Sequence, residues 1–122
     1  MNLKLFMSYG LMLGLLCLPA RAESPANVQK EVDFLLGYIG RSGCEFYRNG
    51  IWHDAKTAQA HLRDKYAYLA ARNRINTTED FIEKAGTKSS ASGQAYEVRC
   101  KGRPTVTSSQ WLRDKLARFR MK

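Results

Sequence analysis

What the 122-residue chain lacks narrows its chemistry before anything else does. It has only two histidines, His53 and His61, and no Cys-x-x-Cys or His-x-x-x-His pair, so the ligand spacing of a zinc site is missing. It has no Gly-x-Ser-x-Gly elbow and no Ser-x-x-Lys pair, the local arrangements that arm a serine nucleophile in two large hydrolase groups. Internal repeats, linkers and low-complexity tracts are absent, as is any nucleic-acid recognition motif or regular aromatic platform. No metal, other cofactor or nucleic-acid partner is expected. Acid is scarce too, with 11 Asp and Glu against 20 Lys and Arg, a formal net charge of +9.

A long apolar run is also missing. The stretch from Leu11 to Leu18 falls far short of the roughly 20 residues that a spanning helix needs, and Gly10 and Gly14 weaken it further. With Lys4 before it and Ala20-Arg21-Ala22 after it, the N-terminus reads instead as a secretory signal peptide over 1–22, cleaved after Ala22. Cys17 is a poor lipidation site, because Leu16 stands where a small residue is required. Removal of the leader takes Lys4 and Arg21 and no acid, so the 20 basic residues become 18 against 11 acids, a net +7. A mature periplasmic chain over 23–122, without a transmembrane segment, is the expectation.

Two cysteines remain, Cys44 and Cys100. In an oxidising compartment an even pair in a small chain is most simply a disulfide. Fifty-five residues lie between them, and closing so long a loop constrains the unfolded chain by about 4 kcal/mol. That is comparable to the net stability of a domain this size. A thiol so engaged is no nucleophile.

Periodicity supplies the elements. Val28, Val32, Leu35, Leu36 and Ile39 share one helical stripe, closed by Gly40 and Gly43. CEFYRNGIWHD from Cys44 sets aromatic and β-branched residues around Asn49-Gly50, a pair suited to a positive-φ turn. Asp54 caps the longest predicted helix, with Ala55, Ala58, Leu62, Tyr66 and Leu69 inward. Thr77-Thr78-Glu79-Asp80 announces a third helix that buries Phe81, Ile82 and Ala85 and ends at Gly86. Tyr96, Val98 and Cys100 alternate with Glu97 and Arg99 as in a half-buried strand. Thr107-Ser108-Ser109-Gln110 caps the last helix, whose core residues are Trp111, Leu112, Leu116 and Phe119, with Val106 stapled against Trp111. The result is an α+β domain of four helices, a two- or three-stranded antiparallel sheet and one disulfide.

The residues Cys44-x-Phe46-x-Arg48-Asn49-Gly50, His61-Leu62-x-x-Lys65-Tyr66, Thr78-Glu79-Asp80-Phe81-Ile82, Ser89-Ser90-x-Ser92-Gly93-x-x-Tyr96 and Trp111-Leu112 together resemble a family of small exported proteobacterial proteins known as a domain of unknown function. The resemblance spans nearly the whole mature chain. It implies a helix-rich periplasmic domain and brings no established activity. Thr78 and Ala95 depart from residues that some members carry at those places, Ala and Pro.

The same residues hold the candidate site. His61 and Lys65 are four apart on one helix face, a pairing that suits an anion or a carboxylate partner, Glu79 or Asp80 among them. The plainer role for His61 is a hydrogen bond to a loop carbonyl. Arg48 and Asn49 are a turn, or a turn that also contacts an anion. Ser90 and Ser92 open a polar loop before Tyr96, and a turn whose hydroxyls bond nearby backbone is the simplest account of it. A serine nucleophile there needs His61 and an acid as partners. Ser90-x-Ser92-Gly93-x-x-Tyr96 is also similar to the loop that periplasmic lysozyme inhibitors insert into their target, although those proteins are β-rich and a +7 chain repels a basic lysozyme. The binding candidates are therefore Arg48, Asn49, His61, Lys65, Ser90, Ser92 and Tyr96, in a non-catalytic binding or envelope accessory protein. Partners are an envelope protein, or an anionic envelope surface met by Arg113, Lys115, Arg118, Arg120 and Lys122.

Overall fold

The computed structural model describes residues 24–122. The expected signal peptide, its cleavage point and Cys17 lie outside the described residues. Helix α1, Ala26–Arg41, starts behind Pro25, whose fixed φ and missing N–H are tolerated at a helix start. Val28, Val32, Leu35, Leu36 and Ile39 are all buried, as their spacing requires. Gly40 does not end the helix, contrary to the sequence reading. It sits inside α1, and the Gln59 amide of the next helix lies so near that a Cβ on Gly40 would come within 2.6 Å of it. That amide donates to the Leu36 carbonyl at 3.0 Å, so the glycine marks a close helix crossing. The chain turns afterwards, at Ser42 and at Gly43 with φ +68°.

Strands β1, Glu45–Arg48, and β2, Ile51–His53, form a hairpin closed by Asn49 and Gly50, both at positive φ (52° and 88°). Positive φ at both central positions gives the turn that matches strand twist. Asp54 then accepts from the Thr57 N–H and starts α2, Ala55–Ala70. Helix α3, Thr78–Ala85, carries the reciprocal cap in which Thr77 accepts from the Asp80 N–H while Asp80 accepts from the Thr77 N–H. Strand β3, Glu97–Arg99, follows, then β4, Val106–Thr107, and α4, Ser108–Arg120, capped by Thr107.

The sheet is antiparallel throughout, in the order β2-β1-β3-β4. Its four strands exceed the two or three expected. The added strand is only two residues long, too short to leave a period-two pattern, and it doubles as the cap and staple of α4. Glu45 pairs with Arg99 in the ladder, and the next residues outward, Cys44 and Cys100, are joined by the disulfide with Cα atoms 4.4 Å apart.

Phe46 and Val98, paired across β1 and β3, face the helices and meet the core residues of α1 and α4. Phe46 packs edge-on against Trp111 at 5.6 Å, and Phe34 stacks on Phe119 at 4.2 Å. At the far end, Arg120 donates to both Glu31 oxygens (2.8 and 2.9 Å) and to both Glu79 oxygens (2.6 and 3.2 Å), tying α1, α3 and α4 together. Thr78 donates to Glu31 as well, at 2.5 Å. Glu79 and Asp80 are thus committed to Arg120 and to the α3 cap, and neither is a partner of His61 or Lys65. Arg120 likewise leaves the set of cations free to meet an anionic surface.

Candidate functional site

Four of the seven candidate residues converge. Arg48 ends β1, His61 and Lys65 lie one turn apart on α2, and Tyr96 stands immediately before β3. Arg48 Nη1 is 3.3 Å from His61 Nδ1, and His61 Nε2 is 3.2 Å from the Tyr96 hydroxyl. Lys65 Nζ donates to that same hydroxyl at 3.2 Å and to the Lys88 carbonyl, also at 3.2 Å. The loop carbonyl contact foreseen for His61 is therefore made by Lys65.

The donor inventory fixes the protons. A guanidinium only donates, so His61 Nδ1 accepts, the ring is neutral, and Nε2 carries the hydrogen that goes to Tyr96. An ammonium also only donates, so the Tyr96 oxygen accepts twice. Its own O–H then has no acceptor among the described residues. Burial holds the His61 pKa below its usual value, and the Arg48 and Lys65 charges lower it further. Burial likewise lowers Lys65, with Arg48 adding to the effect, and it raises Tyr96 against the opposing pull of Arg48. Around His61 and Lys65 every cause but the exposed Asp64 disfavours added positive charge, whereas burial of Tyr96 keeps its hydroxyl protonated. No carboxylate lies within 4.0 Å of Arg48 or Lys65 among the described residues.

Arg48, His61 and Tyr96 form the polar wall of a small cleft over an apolar floor of Phe46, Ala58 and Leu62. Its free volume is about 30 Å³. A water needs roughly 10–15 Å³, so the cleft admits one or two oxygen atoms and not a whole metabolite. Lys65 stands behind Tyr96, its ammonium 5.1 Å from the ring centre, and does not line the cleft. It positions the hydroxyl.

Asn49, Ser90 and Ser92 are outside the cleft. Ser92 donates to the Asn49 side chain at 2.5 Å, pinning the serine loop to the β1–β2 turn, and Ser90 is exposed. Ser89 is buried and accepts from the Ala91 and Ser92 N–H groups, which is a hydroxyl-capped turn. No serine of this loop is bonded to His61, whose two nitrogens face Arg48 and Tyr96. The arrangement gives a nucleophilic serine no support, and the loop's internal bonding gives none to an inhibitor-like insertion. His53 and Ser108 also line the cleft and were not singled out as binding residues. Their signal was positional: His53 lies opposite Phe46 in the sheet, and the Ser108 N–H donates to the Tyr96 carbonyl.

This compact unit coincides with a recognised family. The chain belongs to the family of unknown function DUF5329, whose model matches residues 26–120, from the first residue of α1 to the last of α4. It is similar to the uncharacterized protein YfeK of Salmonella typhimurium (strain LT2), with 37% identity over 83 residues, covering 67% of this chain and 68% of that one. No solved structure matches the chain.

Proposed function

We propose that the chain is an exported periplasmic protein that binds an anionic group of an envelope component without transforming it, and that Arg48 and the Tyr96 hydroxyl are the groups that touch it. The observation that carries this reading is the relay from Arg48 through His61 to Tyr96, backed by Lys65, which sets Arg48 and the Tyr96 hydroxyl at the edge of a largely apolar cleft with no carboxylate beside them among the described residues. Such a relay leaves one O–H and most of a guanidinium fork without a protein partner, and an oxyanion accepts from both. The small free volume selects a terminal phosphate, sulfate or carboxylate oxygen rather than a whole molecule. The leader sequence and the Cys44–Cys100 bridge support export.

The test is titration of the mature chain with inorganic phosphate, sulfate and acetate, followed by amide and histidine NMR shifts. Saturable shifts at Arg48, His61 and Tyr96, lost in Arg48→Gln and weakened in Tyr96→Phe, are expected. Unmoved cleft resonances at tens of millimolar of every anion would end the proposal. Sequencing the N-terminus of protein recovered from the periplasm tests export separately, with Glu23 expected first.

A further inference from the structure

A second recess lies at the disulfide end of the sheet and is chemically unlike the cleft. Its floor is Val98, Val106 and the Cys44–Cys100 bridge, and it offers about 420 Å³ of free space, within the roughly 300–1,000 Å³ of ligand sites. Cations line it from two separate elements: Arg103 from the β3–β4 loop, and Lys115 and Arg118 from α4. None of the three has a carboxylate within 4.0 Å among the described residues. Lys115 is already oriented, its ammonium 5.0 Å from the Tyr38 ring and 5.5 Å from the Trp111 ring. The same groove is also lined by neutral and acidic groups, Ser42, Gln110 and Asp114.

We infer that this groove is a binding site for an anionic saccharide, a chain of sugars bearing carboxylate or sulfate groups. Free cations contributed by two different elements match an extended ligand that carries more than one charge. The Gln110 amide and the Asp114 carboxylate supply the mixed donors and acceptors that sugar hydroxyls need, which a purely cationic patch does not, while the Ser42 hydroxyl is taken up by the Ile39 carbonyl and the Cys44 N–H. The alternatives fit less well. A peptide added as a strand needs a long sheet edge, and the edge here, β4, has two residues. A lipid chain needs an apolar channel, whereas this groove is lined by polar and apolar groups together. The site is independent of the Arg48 cleft, and either can fail without the other.

The experiment uses the mature, oxidised chain and four probes: oligogalacturonate, neutral maltohexaose, a polyglutamate peptide and phosphatidylglycerol vesicles. Binding is followed by amide NMR shifts and by titration at low and moderate salt. Oligogalacturonate should bind in preference to the other three, shift Gln110, Lys115 and Arg103, and weaken with salt as charges on an exposed surface do. Arg103→Gln with Arg118→Gln should weaken it by at least about tenfold, since two charge-assisted contacts to the ligand are lost. Arg113→Gln with Lys122→Gln removes equal charge elsewhere and should change it little. Lys115→Gln tests the oriented cation alone. The proposal is overturned if the two double variants lose affinity equally, if peptide or vesicles bind better, if maltohexaose binds as well, or if the shifts fall outside the groove.

Discussion

Arg120, the last residue of α4, holds the Glu31 carboxylate of α1 through two hydrogen bonds of 2.8 and 2.9 Å. The guanidinium of Arg120 is the largest cause that brings the Glu31 pKa down from 4.5 to about 2. A carboxylate lowered in the folded state contributes stability above its unfolded pKa and loses it as pH falls through the folded one. Denaturation followed from pH 7 to pH 2 should therefore show stability falling below about pH 4.5, and Glu31→Gln should flatten that slope. Arg120 is partly exposed, so Arg120→Ala should cost only about 1 kcal/mol, read as a melting temperature lower by about 4–8 °C. Arg120→Lys should not restore it, because an ammonium cannot bridge two carboxylates in the same fork.

His61 should titrate below 6.5, its ordinary value, since burial and then Arg48 and Lys65 oppose its charge. Protonation would put a hydrogen on Nδ1 facing the Arg48 guanidinium. The folded state takes up this proton less readily than the unfolded chain, so this contribution to stability declines as pH drops from 6.5 through the lowered pKa. Arg48→Gln removes a neighbouring charge and should raise the His61 midpoint. An NMR titration of the imidazole carbon proton measures both, and an unchanged midpoint in the variant would contradict the Arg48–His61 contact.

Replacing Cys44 and Cys100 together by alanine should lower stability in urea by about 4 kcal/mol, chiefly by freeing the unfolded chain. The ladder beside them, Glu45 with Arg99 and Phe46 with Val98, is a backbone pairing that does not itself use the cysteine side chains. Where the variant still folds, its sheet and its anion-induced shifts at Arg48 should persist. Loss of those shifts in a folded variant would show that the bridge shapes the cleft directly.

Gly40→Ala should cancel the usual gain for a helix. Alanine normally gains roughly 0.5–1 kcal/mol over glycine there. Here the new Cβ meets the Gln59 amide at 2.5 Å and displaces it from the Leu36 carbonyl. Gln59 is partly exposed and can swing aside, so the cost should be the lost hydrogen bond, about 1 kcal/mol, which offsets the alanine gain and leaves little net change by thermal or urea denaturation.

Local rules made most of the elements legible. The α1 stripe, the Asp54 and Thr77 caps, the Asn49-Gly50 turn and the cysteine pair each act within a few residues or through one unambiguous partner, and each stands where its chemistry put it. What escaped depends on contacts distant in sequence. Gly40 looked like a stop signal because Gln59, which explains it, belongs to another helix. Glu79 looked available to His61 because Arg120 lies 41 residues further on. The candidate site divided along the same line. Arg48, His61, Lys65 and Tyr96 meet because the β1–β3 pairing brings Tyr96 beside α2, whereas the Ser89 N–H bond to the Gln94 carbonyl closes the serine loop on itself and turns Ser90 and Ser92 away. Residue type suggested all seven, and only the sheet register could sort them.

Phe46 borders the small cleft on one side and meets Trp111 edge-on at the other, and Trp111 borders the large groove. Two aromatic rings thus form a party wall between the two recesses. Shaving that partition, as Phe46→Leu would, enlarges one chamber and removes the brace behind the other.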